Sequence, residues 1–143
     1  MSPCEFTKIL VPVDGSEGAD RALECAVSIC TRFGARLTAL AVEGRLPAYA
    51  ATVGEIEEAK REKDEFFSKV LKTATERAAE HGVELQTTVI GGHAAEVIPK
   101  FARQHDHDLI VIGYRGHFLG DFLLGSTADR VAHHASCPVL IVR

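Results

Sequence analysis

The chain reads as an α/β fold, an open parallel sheet with helices on both faces, in a single domain over residues 1–143. Two observations predict it. Short apolar, β-branched runs alternate strictly with segments of helical periodicity, in the order β-α-β-α-β-α-β-α-β. The first and fourth of those runs are apolar without polar alternation, as strands covered on both faces are. Strict alternation requires crossover connections, which are right-handed and bring the strands parallel.

The first strand is Lys8–Val13, Lys-Ile-Leu-Val-Pro-Val, with Pro12 near its end, where one lost ladder bond does little harm. Asp14-Gly15-Ser16-Glu17 turns the chain, and Ser16 suits an N-cap. Ala19, Leu23, Ala26, Cys30 and Phe33 then recur at helical spacing as one inward face, and Gly34 stops the helix. Arg36–Val42 is the second strand, followed by a loop with two Gly and one Pro. One long helix follows from about Val53 to His81; its densely charged first half, Glu55–Glu65, is a solvated or projecting face. Glu84–Ile90 alternates and suits a half-exposed edge strand, broken by Gly91-Gly92. His93–His105 is helical, with Pro99 expected to kink it or to lie near its first turn. Asp108–Gly113 is a continuous apolar strand. Ser126–Ala135 is a helix with Ala128, Val131, Ala132 and Ala135 inward, and Val139–Val142 is the last strand.

Composition narrows the function classes. Apolar residues make up 46% and charged residues 25% of 143, enough for a core without staples. The net charge of −4 argues against general nucleic-acid binding. No apolar run approaches the length of a membrane span, and the first residues lack a signal-peptide pattern, so a cytoplasmic location is the expectation. Cys4, Cys25, Cys30 and Cys137 form no Cys-x-x-Cys pair and read as packed thiols. His105 and His107 flank Asp106 at the opposite sheet end from the glycine loop, and no spacing among the seven histidines matches a metal site.

The chemistry concentrates at strand carboxyl ends, where open α/β sheets hold ligands. Three segments qualify: Pro12-Val13-Asp14, Val42-Glu43 and Gly113–Gly116. An Asp after the first strand can accept bonds from ribose hydroxyls, and backbone groups at Val13 and Val42 can meet the edge of an adenine. Gly113, Gly116 and Gly125, with the hydroxyls of Ser126 and Thr127, can surround phosphates where a glycine loop meets a helix N-terminus. Each residue also has a plainer role: Asp14 as part of a cap, Gly113 and Gly116 in a turn, Ser126 as an N-cap. His117 sits inside the same loop and can reach phosphate, although exposure to solvent is its plainer role. There is no Gly-x-x-x-x-Gly-Lys-Ser/Thr loop, no Gly-x-Gly-x-x-Gly turn after the first strand and no Gly-x-Ser-x-Gly elbow.

With these residues assembled, the chain resembles the universal stress protein family over nearly its whole length. The opening Lys-Ile-Leu-Val-Pro-Val-Asp-Gly-Ser-Glu, Asp108-Leu-Ile-Val-Ile-Gly113, and the closing Leu-Leu-Gly-Ser-Thr-Ala-Asp-Arg-Val-Ala-His-His-Ala-Ser-Cys-Pro-Val-Leu-Ile-Val-Arg carry the resemblance. It implies a Rossmann-like five-stranded sheet in order 3-2-1-4-5. It also implies a homodimer pairing through the last strand, Val139, Leu140, Ile141 and Val142. The family's ATP-binding branch has Gly-x2-Gly-x9-Gly-Ser/Thr; here Gly113-x2-Gly116 is followed by eight residues and then Gly125-Ser126, one short, with Gly120 inside the loop. The implied function is a regulatory stress-response protein binding ATP, ADP or AMP, with or without Mg²⁺. Asp14 would meet ribose, Val13 and Val42 the base, and Gly113, Gly116, Gly125, Ser126 and Thr127 the phosphates, with Arg115 adding charge and Pro12 lining the same nucleotide site. Hydrolysis would at most be slow, since no general base or P-loop Lys is positioned. The alternative is a nucleotide-free dimeric scaffold of the same fold.

Overall fold

The computed structural model describes residues 5–44, 52–114 and 124–143. Within them lie β1 (Lys8–Pro12), α1 (Glu17–Phe33), β2 (Arg36–Glu43), α2 (Val53–Glu80), β3 (Leu85–Gly91), α3 (Ala94–Gln104), β4 (Leu109–Gly113), α4 (Ser126–His134) and β5 (Val139–Val142). All pairings are parallel, and the sheet order is β3-β2-β1-β4-β5. Both the alternation of elements and the implied strand order are therefore realised. Among the described residues no helix is long and apolar enough to cross a membrane.

The period of two along each strand divides the core into two layers. Ile9 and Val11 of β1, Leu37, Ala39 and Ala41 of β2, and Leu109 and Val111 of β4 are buried on one face, under α1 and the second half of α2. Leu10, Leu40, Ile110 and Ile112 are buried on the other, under α3 and α4. The central strands β1 and β4 are covered on both sides, which is why their sequences show no polar alternation. β3 lies at an edge, and its outward residues are exposed as its alternation predicts.

Several local expectations are corrected. β1 ends at Pro12, one residue before the expected Val13, although the Val13 N–H still donates to Leu40 O at 2.9 Å. Phe33, expected inward, is 47% exposed. It is the last residue of α1, and its ring stands edge-on to Phe6 at 5.5 Å instead of entering the core. Ala132, expected inward, is exposed, because the short α4 buries only Ala128 and Val131. Pro99 lies inside α3 at its sixth residue and is buried, which leaves the Ala95 carbonyl without its helical donor. The first half of α2 is largely exposed, and the buried residues of that helix are Ala74 and Ala78. Cys25, Cys30 and Cys137 are free thiols, burial pushes Cys30 up to about 11, and Cys4 lies outside the described residues.

At the amino ends of the strands, Asp108 ties β4 to the start of β1. The Asp108 carboxylate accepts from the Thr7 N–H and hydroxyl at 2.8 Å each and from the Lys8 N–H at 3.0 Å. Partial burial works to raise its pKa, but these bonds outweigh it and hold the carboxyl below its ordinary range. The Asp108 N–H returns a bond to Lys8 O at 2.9 Å, so β4 and β1 start in register. Among the described residues no group of three or more His, Cys, Asp or Glu converges as a metal site.

His107 is buried beside Phe101, with ring centroids 5.6 Å apart, and neither ring nitrogen has a hydrogen-bond partner. Burial lowers its pKa from 6.5 to about 4; nearby Lys8 and His105 lower it too, against the Ala102 carbonyl and Asp108. The folded protein therefore keeps His107 neutral down to about pH 4, whereas the unfolded chain takes up a proton near pH 6.5. Its contribution to stability is present above pH 6.5 and is lost as pH falls toward 4. Urea unfolding at pH 7 and pH 5 is expected to show lower stability at pH 5, with a smaller drop for His107→Phe. An equal drop in both proteins would refute this role.

Candidate functional site

All five strands point their carboxyl ends to one edge of the sheet. There α1 leaves β1 toward one face and α4 follows β4 on the other, which opens a crevice between the two central strands. A cleft of about 240 Å³ occupies this position. Pro12, Val13, Asp14, Val42, Gly113, Gly125, Ser126 and Thr127 line it. Eight residues singled out from the sequence are thus brought to one place by four separate segments. Arg115 and Gly116, together with His117 and Gly120, lie outside the described residues.

Asp14 does two things. Its Oδ1 accepts the Ser16 N–H at 2.9 Å, and Ser16 in turn caps α1, its Oγ accepting from the Ala19 N–H at 3.2 Å. The capping role is real, but it occupies one oxygen. Oδ2 has no partner among the described residues, and Asp14 is exposed on the cleft.

The backbone groups of Val13 and Val42 differ. In an extended strand a residue's N–H and C=O point the same way, and successive residues alternate between neighbours. Leu40 O receives the Val13 N–H from the β1 side, while Glu43 O receives the Gly92 N–H from the β3 side. Val42 therefore turns both its N–H and its C=O toward β1. But β1 has already ended at Pro12, so no β1 residue pairs with Val42. Val42 presents a donor and an acceptor side by side in the cleft. The Val13 N–H is already committed to Leu40, so Val13 offers only its carbonyl.

The third element is the start of α4. Its N-cap is Gly125, not Ser126, and no side chain caps it. The Gly125 N–H donates to Tyr114 O at 2.8 Å, and its carbonyl accepts the first helical bond, from the Asp129 N–H at 2.9 Å. The N–H groups of Ser126, Thr127 and Ala128 are first-turn donors without intrahelical partners, beside the cleft they line. Such donors, with the positive end of the helix dipole, favour an anion. Among the described residues Asp14 is the only ionisable side chain lining the cleft, so the helix terminus rather than a charged side chain supplies the positive potential there.

Gly113 has a different reason to be glycine from the turn expected of it. A Cβ there would lie 2.7 Å from Gly18 C and 2.8 Å from Gly18 O. The first turn of α1 crosses the end of β4 backbone to backbone, and this close approach sets one wall of the cleft.

Sequence reasoning missed the apolar wall formed by Leu40, Ala94, Ile98 and Ile112. Ala94 and Ile98 belong to the first turns of α3. The signal was available: a parallel β3 ends at the same sheet edge as β1, so the helix that follows it must start beside the cleft. This apolar lining shares the cleft with Asp14 and Val42, a combination that suits a heterocycle with polar edges.

Against known proteins, the family model described as "Universal stress protein family" matches residues 5–143. Universal stress protein YxiE of Bacillus subtilis is 34% identical over 147 aligned positions, covering 96% of this chain and 99% of its own. The structure of universal stress protein UspA from Lactobacillus plantarum superposes with a TM-score of 0.86 at 31% identity, covering 98% of this chain and 99% of its own. That of the universal stress protein from Archaeoglobus fulgidus, solved in complex with dAMP, has a TM-score of 0.67 at 25% identity, covering 97% and 99%. The order of the strands, the crevice between β1 and β4 and these full-length matches agree, and the chain belongs to the universal stress protein family.

Proposed function

We propose that the cleft binds an adenine nucleotide, ATP or its products ADP and AMP, and that the protein acts as a regulatory stress-response protein. The observation that carries this reading is the unpaired donor–acceptor pair of Val42. A backbone N–H beside a C=O matches N1 and the 6-amino group of adenine. Guanine presents the opposite pattern, a donor at N1 and an acceptor at O6, and would meet donor with donor and acceptor with acceptor. Asp14 Oδ2 suits a ribose hydroxyl, and the uncapped α4 terminus suits the phosphates. The Archaeoglobus fulgidus relative crystallised with dAMP lends support to the same ligand class.

Magnesium, if it accompanies ATP, would be held chiefly by the phosphates, because Asp14 is the only carboxylate among the described residues lining the cleft. That carboxylate is assigned to the ribose and already carries the Ser16 N–H. Hydrolysis would be slow at most, since no described side chain of the cleft is left over as a general base. Binding measured by calorimetry is expected to favour ATP over GTP by about tenfold or more, the cost of one or more unmatched hydrogen bonds. Asp14→Ala is expected to weaken ATP by a similar factor. Equal affinity for ATP and GTP, or no binding at millimolar ATP, would overturn the reading.

The same reading includes a homodimer through β5. Tyr114 N–H donates to Val142 O and Ile110 N–H to Pro138 O, so the even-numbered residues of β5 face β4. Val139 and Ile141 then turn their N–H and C=O groups to the open edge, with Leu140 38% exposed beside them. Pairing with a second copy would satisfy that edge and cover it. Light scattering is expected to give twice the 15.5 kDa chain mass for the wild type. Ile141→Pro, which removes an outward N–H and leaves the β4 ladder intact, is expected to give the monomer mass. A dimer in both proteins, or a monomeric wild type, would contradict this interface.

A further inference from the structure

The nucleotide reading uses the ends of β1, β2 and β4 but not α2, the longest helix of the molecule, whose first half is largely exposed. Yet α2 touches two of those ends. Its residues Lys63, Phe66, Val70 and Ala74 recur at spacings of three and four, one stripe along the helix. Phe66 and Val70 lie over Gly15, the residue after Asp14. A Cβ on Gly15 would lie 3.2 Å from Phe66 Cζ and 3.3 Å from Val70 Cγ2. One step up the stripe, the Lys63 ammonium donates to the Gly44 carbonyl at 2.7 Å, two residues beyond Val42. The turn that carries the ribose carboxylate and the strand end that carries the base-reading backbone are thus held by neighbouring residues of one helix.

The contact with the Asp14 turn lies at the surface. Phe66 is 48% exposed and borders a groove of about 290 Å³ between α1 and α2, which Val13, Gly15 and Leu23 line from the other side. The turn Val13–Ser16 is therefore a thin partition, with the nucleotide cleft on one side and this groove on the other. Above the contact, residues 53–62 extend as an arm in which Val53 is 73% and Ile56 40% exposed.

We propose that Phe66 and Lys63 are positioning residues for the nucleotide site and that α2 is its regulatory output. The inference rests on the nucleotide reading above. Phe66 acts through Asp14 by bracing the Gly15 turn, and Lys63 acts through Val42 by fixing the strand end at Gly44. Nucleotide in the cleft restrains both points, and the arm at residues 53–62 gains order with them.

A double-mutant cycle tests the route. Phe66→Ala, Phe66→Leu and Lys63→Met are compared with wild type for ATP affinity by calorimetry, with circular dichroism and urea unfolding showing that each folds. Phe66→Ala and Lys63→Met are each expected to weaken ATP by about fivefold or more, within the usual range of coupling between sites. Phe66→Leu, which keeps a bulky side chain over Gly15, is expected to recover most of the loss. In an Asp14→Ala background Phe66→Ala is expected to add little, because its route to the ligand is already gone. Hydrogen exchange at residues 53–62 is expected to slow on addition of ATP to wild type and to respond less in Phe66→Ala. Wild-type binding with unchanged affinity in both variants, or full additivity with Asp14→Ala, would overturn the coupling while leaving the nucleotide reading intact. Absence of ATP binding by wild type would overturn both.

Discussion

Pro12 ends β1 while β2 runs on to Glu43, and the cleft depends on that step in the sheet. Had β1 continued, its backbone would have taken up the N–H and C=O of Val42, as Val13 takes up Leu40 O. The chain turns away instead, through Asp14 and Gly15 into α1, and a pair of strong hydrogen-bonding groups is left without a strand to satisfy it. Unpaired backbone groups at the edge of a core are costly unless water or a ligand meets them. The same turn that withdraws β1 supplies the cleft with its carboxylate, so the step and the chemistry have one origin in Pro-Val-Asp-Gly-Ser.

Around that step the structural and proposed functional roles are shared by the same residues. Asp14 holds the Ser16 N–H with one oxygen and leaves the other toward the cleft. Gly113 lets α1 cross the end of β4 in backbone contact, so replacing it would disturb the fold before it disturbed any ligand. Gly125 ends its own bonding at Tyr114 and Asp129, and α4 starts without a side-chain cap. A serine or aspartate at that N-cap would stabilise the helix by only about a few tenths of a kcal/mol over glycine, and its side chain would compete for the donors an anion needs. The sheet therefore places the least satisfied backbone groups of three elements within one small crevice.

The fold was largely legible in the sequence because its central strands are apolar on both faces and its helices have single apolar stripes. Errors fell where an element ends or is short. Phe33 keeps the helical spacing of α1 but is its last residue, past the reach of the sheet, and Ala132 fits a stripe that nine-residue α4 is too short to bury. The cleft was legible in its polar parts, since Asp14, Val42 and Gly125–Thr127 follow from the rule that ligands meet strand carboxyl ends. Its apolar wall was not, because Ala94 and Ile98 carry no chemical signature and reveal themselves only once β3 and α3 are placed in space. Nor was it legible that the Val13 N–H is spent on Leu40, a fact of register that residue types do not encode. The phosphate side at Arg115 and Gly116 lies outside the described residues.

The backbone of Val42 is the group on which the adenine reading turns, and its amide can be watched directly. In ¹⁵N-labelled protein titrated with ATP, the Val42 amide resonance is expected to shift as its N–H gains an acceptor, saturating with the same dissociation constant that calorimetry gives. GTP at equal concentration is expected to leave it close to its free position. A Val42 amide that stays in place while other resonances report saturation with ATP would contradict the account.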